Sequence, residues 1–124
     1  MATEFTILME DKPGTAADAL EVLGNAGVNI DAILAHGGTT VALVPGDPER
    51  ARQALDRAGR RYSTREVLVL NVEDKPGALA RLARAMGNAQ VDLDAVYLDH
   101  KGQIVLAAHD LAAARQVALR LGVI

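Results

Sequence analysis

The chain has 124 residues, of which 50% are hydrophobic, and its lack of cysteine excludes disulfides and thiolate metal sites. The net charge of −3 argues against sequence-independent nucleic-acid binding, which depends on neutralising phosphates. Because no apolar run approaches a membrane span and no signal-peptide pattern opens the chain, we expect a cytoplasmic protein without a membrane or nucleic-acid partner.

The first sixty residues alternate between strand and helix patterns. Alternating apolar residues predict a strand over about 3–9, and helical spacing of apolar residues predicts a helix over 15–26. Further strands are expected over 28–34 and 39–44, followed by a second helix that begins after Asp47 and ends near Gly59. The first half therefore has the order strand, helix, strand, strand, helix.

The second half repeats the first at a constant offset of 63 residues, without a gap. The segment Glu10-Asp11-Lys12-Pro13-Gly14 recurs as Glu73-Asp74-Lys75-Pro76-Gly77, and Gly24-Asn25-Ala26 recurs as Gly87-Asn88-Ala89. The predicted strands of this half are 67–72, 91–98 and 103–107, and its helices are 78–89 and 111–121. We therefore expect one fold used twice, with units 1–63 and 64–124.

The joint between the units has neither Gly nor Pro from residue 60 to residue 72. It is predicted to be one extended segment, the fourth strand of the first unit and the first strand of the second. Only residues 122–124 remain for the last strand of the second unit, so a sheet edge is left short. Because open edges must be covered or paired, we expect a homodimer or close packing between units.

The fold class expected from this order is α+β, with two ferredoxin-like βαββαβ units in tandem. Each antiparallel sheet carries its helices on one face. The other face is expected to be left for solvent or a partner.

The strand, the Glu-Asp-Lys-Pro-Gly loop, the helix and the following Gly-Val-Asn-Ile-Asp-Ala-Ile segment resemble the ACT domain. The second copy continues with Gln90-Val91-Asp92-Leu93-Asp94-Ala95-Val96, so the resemblance covers the chain as a tandem pair. It implies a small regulatory module of amino-acid metabolism that pairs side by side and binds an amino acid between units. The family is mostly attached to enzymes, although stand-alone tandem copies exist, and this chain resembles the stand-alone type.

The resemblance also implies a ligand site made from the loop before the first helix and from the start of the second strand of a neighbouring unit. The loop corresponds to Asp11, Lys12, Pro13, Gly14 and Thr15 in the first unit and to Asp74, Lys75, Pro76, Gly77 and Ala78 in the second. The strand start corresponds to Asn29, Ile30 and Asp31, and to Asp92, Leu93 and Asp94.

The loop has suitable chemistry for an amino acid. Backbone N–H groups of residues 14–16 and 77–79 lie at predicted helix N-termini, which favours a ligand carboxylate. Asp11 and Asp74 offer carboxylates for an α-ammonium group. An alternative interpretation is that these aspartates only cap the helices.

Three functions remain open from the sequence. The first is a regulatory protein that senses an amino acid and acts on its own assembly or on a partner enzyme. The second is a dimerisation adaptor with a degenerate site, because Met9 and Val72 stand where several ligand-binding members have histidine. The third is a small enzyme, although we assign no catalytic residue, metal or cofactor: His36, His100 and His109 show no ligand spacing, and no nucleophile motif is present.

Overall fold

Four helices and six strands follow one another in a computed structural model that describes all 124 residues. They divide into a first unit, Thr3–Arg65, and a second unit, Glu66–Ile124 together with Met1 and Ala2. In chain order the elements are β1 (Ala2–Leu8), α1 (Thr15–Asn25), β2 (Ile30–Ala35), β3 (Thr40–Pro45), α2 (Pro48–Arg57), β4 (Tyr62–Leu70), α3 (Ala78–Asn88), β5 (Leu93–Leu98), β6 (Ile104–Ala108) and α4 (Leu111–Leu121).

The first unit has the strand order β2-β3-β1-β4. β3 lies between two antiparallel neighbours, with Leu43 opposite Phe5 of β1 and opposite Ile33 of β2. At the other side of β1, the Leu8 N–H donates to the carbonyl oxygen of Arg61 at 3.0 Å. This order is that of a ferredoxin-like unit, and the α+β class expected from the sequence is confirmed.

The second unit has the strand order β4-β6-β5. Leu106 of β6 lies opposite Leu68 on one side and opposite Val96 on the other, both antiparallel. The chain then ends without a fourth strand, and a single backbone bond, from the Asn71 N–H to the Val123 oxygen at 2.8 Å, stands in its place. The predicted extended joint is one nine-residue strand, β4.

Each unit has its own hydrophobic core between its helices and one face of its sheet. The first contains Phe5, Ile7, Leu23, Leu43 and Leu55, all with no exposed surface. The second contains Leu68, Leu70, Leu82, Met86, Leu106 and Val117. Burying a side chain of this size contributes about 1.5–3 kcal/mol.

The sheet face opposite the helices is buried at three residues of the second unit. Val67 and Val105 alternate with core leucines and so lie on that face, yet they are 0% and 1% exposed. Ala107 is likewise 1% exposed. At these three residues of the second unit the face is therefore not left for solvent, which was one of the two alternatives expected from the sequence.

None of the helices is both long and apolar enough to cross a membrane.

Tyr62, at the start of β4, joins the sheet of the first unit to α2. Its ring stacks on Phe5 with centroids 5.5 Å apart, and its hydroxyl donates to Asp56 Oδ1 at 2.7 Å. This bond to a carboxylate raises the pKa of Tyr62 above its ordinary value of 10.0, with burial adding to the effect.

The Tyr62–Asp56 bond predicts a pH-dependent stability. Because the folded protein holds the phenol proton more tightly than the unfolded chain, the stabilisation is complete below pH 10.0 and is lost as the pH rises through the folded pKa. Tyr62→Phe keeps the ring and removes the bond. We expect urea unfolding to find this variant less stable than the wild type near neutral pH, with the difference shrinking above pH 10.0. A difference that does not change with pH would contradict this assignment.

Candidate functional site

The loop between the first strand and the first helix has the same backbone geometry in both units. The Lys12 N–H donates to the Glu10 oxygen at 3.0 Å, and the Lys75 N–H donates to the Glu73 oxygen at 3.0 Å. Gly14 and Gly77 then have φ angles of 90° and 88°, a left-handed conformation that favours glycine. The repeated sequence therefore produces a repeated local structure.

Side chains hold this loop in ways that the sequence reasoning missed. Lys12 pairs with Glu10 at 2.9 Å and Lys75 pairs with Glu73 at 2.7 Å. In the first unit only, the nearly buried Thr15 hydroxyl lies 2.7 Å from the Glu10 oxygen and 2.9 Å from the Lys12 oxygen. Ala78 is the counterpart of Thr15 and has no hydroxyl, so the loop of the second unit lacks this tie.

The aspartates of the loop do not cap the helices. The N-cap positions of α1 and α3 are Gly14 and Gly77, and neither helix has a side-chain cap hydrogen bond. The alternative interpretation of Asp11 and Asp74 as caps is therefore wrong, because the left-handed glycine occupies the capping position itself. The first amides of both helices have no partner within their helix.

The second-strand residues lie at the other end of the sheet from the loop. In the first unit, Ile30 lies opposite Pro45 at one end of β3, whereas Leu8, just before the loop, lies opposite Thr40 at the other end. A six-residue strand spans about 20 Å. Asn29 and Asp31 instead bond each other there, Asn29 Nδ2 donating to Asp31 Oδ1 at 2.8 Å.

The second unit has the same separation, with Leu93 opposite Ala108 and Leu70, just before the loop, opposite Ile104. The candidate residues Asp92 and Asp94 flank Leu93, away from Asp74 and Lys75. Within a unit, the structure does not bring the two candidate segments together. They share a site only if a neighbouring unit supplies one of them.

A cleft of about 650 Å³ lies beside the loop of the second unit. Its walls come from the loop, the first turn of α3, the end of β5, the β5–β6 hairpin and the start of β6. The residues are Val72, Glu73, Asp74, Lys75, Leu79, Val96, Tyr97, Leu98, Lys101, Gly102 and Ile104. Of the predicted site residues, Asp74 and Lys75 line it, whereas Pro76, Gly77 and Ala78 do not.

An apolar groove of about 170 Å³ shares Leu79 and Val96 with this cleft. It runs along α3 and β5 and is lined by Leu79, Leu82, Ala83, Leu93, Val96 and Leu106. A further cavity of about 240 Å³ shares Val72, Glu73 and Lys75 with this cleft and also includes Ala78 and Arg81. We call the 650 Å³ space the main cleft.

Lys101 is the functional candidate that sequence reasoning missed. It stands in the β5–β6 hairpin, outside both predicted segments. Its repeat counterpart is Gly38, so a residue-by-residue comparison of the two halves could have singled it out. No group of three or more His, Asp or Glu side chains is placed to hold a metal ion.

The hydrogen bonding of the Thr15 hydroxyl predicts that this side chain stabilises the loop of the first unit. Thr15→Ala removes a largely buried hydroxyl whose single proton lies within hydrogen-bond distance of two carbonyl oxygens, so we expect a loss of about 1–2 kcal/mol in the free energy of unfolding, measured by urea denaturation. Thr15→Ser keeps the hydroxyl and serves as the control, with most of the stability retained. Equal losses in the two variants would show that the methyl group, rather than the hydrogen bonds, stabilises the loop.

Comparison with known proteins places this geometry in context. Residues 3–59 match the family model of the ACT domain. Protein BT0572 from Bacteroides thetaiotaomicron has a similar fold, with a TM-score of 0.85 and 22% identity over 98% of this chain and 89% of that chain. No curated protein sequence matches the chain.

Two further solved structures are similar in fold at lower identity. The ligand-free regulatory subunit of aspartate kinase from Thermus thermophilus has a TM-score of 0.63 and 18% identity, over 96% of this chain and 90% of that chain. Aspartokinase III from E. coli, in complex with lysine and aspartate, has a TM-score of 0.61 and 15% identity, over 97% of this chain and 30% of that chain.

Proposed function

We propose that this chain, whose residues 3–59 match the ACT-domain family, is a regulatory protein that binds a free amino acid. The observation that carries the proposal is the main cleft, which opens beside the strand-to-helix loop of the second unit. Its volume of about 650 Å³ falls in the usual range for small-molecule sites.

The main cleft offers groups for both charges of an amino acid. The Asp74 carboxylate lines it and can receive an α-ammonium group. The first turn of α3, from which Leu79 reaches the cleft, is the positive end of a helix dipole and favours a carboxylate nearby. A zwitterion satisfies both ends of such a site, whereas a simple anion or amine satisfies only one.

We extend the ACT assignment to residues 64–124, which the family match does not cover. The support is the repeat, the matching loop bonds and the matching glycine angles of 90° and 88°. The predicted boundaries of 1–63 and 64–124 lie within a few residues of the division after Arg65.

The regulatory output is proposed to pass through a partner enzyme. Two proteins of similar fold are a regulatory subunit of aspartate kinase and an aspartokinase crystallised with lysine and aspartate. Ligand binding can shift such an assembly only if the ligand prefers one of its states. We assign no catalytic role to any residue of this chain.

A binding screen tests the proposed function. We expect one or a few of the twenty amino acids to raise the melting temperature, because a ligand that binds only the folded state stabilises it by about 2.7 kcal/mol at a hundredfold excess over Kd. Calorimetry on each hit then gives its stoichiometry. If none of the twenty amino acids raises the melting temperature or gives a heat of binding, the proposal is overturned and the adaptor function is favoured.

Homodimerisation is proposed as the second part of the function. β2 is the edge strand of the first unit, and Ile33 and Leu34 on it are 43% and 37% exposed. An edge that presents both backbone groups and apolar side chains is a template for pairing with a second copy.

Light scattering tests the dimer. We expect the mass of two chains at micromolar concentration, and Ile33→Lys should reduce it to that of one chain by placing a charge at the edge. Leu119→Lys, at a residue of α4 that is 44% exposed, is the matched control and should leave the dimer intact. A wild-type protein that stays monomeric over a wide concentration range contradicts the proposal.

A further inference from the structure

The main cleft carries three side chains that set its chemistry. Leu79 and Leu98 expose 49% and 61% of their surface, although both are aliphatic. Lys101 lines the same space from the β5–β6 hairpin. The cleft is therefore lined by both exposed apolar surface and a positive charge.

The first unit has none of these side chains at the matching positions. Leu79 and Leu98 correspond to Ala16 and Ala35, and Lys101 corresponds to Gly38. The Asp11 carboxylate lies against Gly38, so a side chain at that position would require this carboxylate to shift. The space beside the hairpin is thus filled by a loop carboxylate in the first unit and lined by a cation in the second.

We propose that the main cleft is the single amino-acid site of the chain and that it selects amino acids with an apolar side chain. In this site Lys101 binds the α-carboxylate, Asp74 binds the α-ammonium group, and Leu79 and Leu98 contact the side chain. The inference rests on the proposed function and adds the ligand class, the stoichiometry and the role of Lys101.

The charges of the main cleft support this division of roles. Lys75 is paired with the Glu73 carboxylate at 2.7 Å. Asp74 and Lys101 have opposite charges and line the same cleft, and the side chain of neither forms a hydrogen bond or ion pair with the protein. Charge-assisted hydrogen bonds to both ends of a zwitterion give orientation as well as affinity.

The hairpin that carries Lys101 is fixed before any ligand binds. Asp99 Oδ1 accepts from the Lys101 N–H at 2.9 Å and from the Gln103 N–H at 2.8 Å. The Gln103 side chain donates to Asn71 Oδ1 at 2.9 Å, which ties the hairpin to the start of the loop. His36 replaces Asp99 in the first unit. A fixed hairpin reduces the entropy lost when Lys101 binds a ligand.

The apolar side of the main cleft indicates the ligand's side chain. The adjoining groove of about 170 Å³ is lined only by alanine, valine and leucine, and it begins at Leu79 and Val96. A charged side chain placed there would lose its hydration without a partner, whereas an aliphatic or aromatic one would be removed from water favourably.

Calorimetry with a defined set of probes tests the inference. The probes are L-leucine, L-valine, L-methionine and L-phenylalanine, compared with L-serine, L-aspartate and L-lysine, on the full chain. We expect the apolar group to bind tightest, with one ligand per chain. For the tightest probe, its methyl ester, which lacks the carboxylate, and its N-acetyl form, which lacks the ammonium, should each bind at least tenfold more weakly.

Single substitutions test the proposed roles of Lys101 and Asp74 in ligand binding. Lys101→Gly and Asp74→Asn should each weaken binding at least tenfold, and the methyl ester should bind Lys101→Gly as well as it binds the wild type. The control Asp11→Asn in the first unit should leave affinity and stoichiometry unchanged. Circular dichroism should show that all three variants remain folded, because the Lys101 and Asp74 side chains lie at the surface.

The outcomes separate this inference from the proposed function. If the wild type binds an amino acid but Lys101→Gly has unchanged affinity, or if two ligands bind per chain, the inference is overturned and the function stands. A preference for polar side chains, or Leu98→Lys disrupting a dimer without changing affinity, also overturns it. Absence of binding by any of the twenty amino acids overturns both.

Discussion

The left-handed glycine at the strand-to-helix turn is the constraint on which each unit depends. Gly14 and Gly77 leave room for a Cβ, since nothing lies within 4 Å, so their requirement comes from backbone conformation alone. A residue with a side chain at φ near 90° costs about 1–3 kcal/mol. This turn lets the chain leave β1 or β4 and start a helix within a few residues. The helix then covers one face of the sheet.

Much of this fold could be predicted because its signals are local. Period-two and helical spacing locate the strands and helices, and the absence of Gly and Pro from residue 60 to residue 72 predicts the continuous β4. Burial of the opposite sheet face could not be predicted, because Val67 and Val105 alternate with Leu68 and Leu106 in an apolar run that has no polar side to identify.

The candidate site was less predictable than the fold, for two physical reasons. A resemblance transfers only positions inside the shared motif, so it led to Asp74 and Lys75 but not to a hairpin that approaches the loop through the fold. The interpretation of Asp11 as a helix cap was also wrong. An aspartate just before a helix often caps it, but here Gly14 lies between Asp11 and α1 and occupies the N-cap position. Comparing the two halves of the chain could have identified Lys101. Gly38 and Lys101 occupy the same repeat position, but Gly38 lies against the Asp11 carboxylate whereas Lys101 lines the main cleft.

Thr15 and Ala78 are a further difference between the two units. Like the difference between Gly38 and Lys101, it agrees with a ligand site in the second unit rather than in the first. In the first unit the Thr15 hydroxyl bonds the Glu10 and Lys12 oxygens, which stabilises the loop and occupies acceptors that a ligand ammonium could use. In the second unit Ala78 leaves the corresponding Glu73 and Lys75 oxygens without a side-chain donor at that position, next to Asp74 in the lining of the main cleft. A protein has to give up some stability where a site must receive a ligand. Because the two loops share their backbone geometry, the loss of the Thr15 hydroxyl and methyl at Ala78, like the change from Gly38 to Lys101, can favour folding in one unit and binding in the other without changing the fold of either.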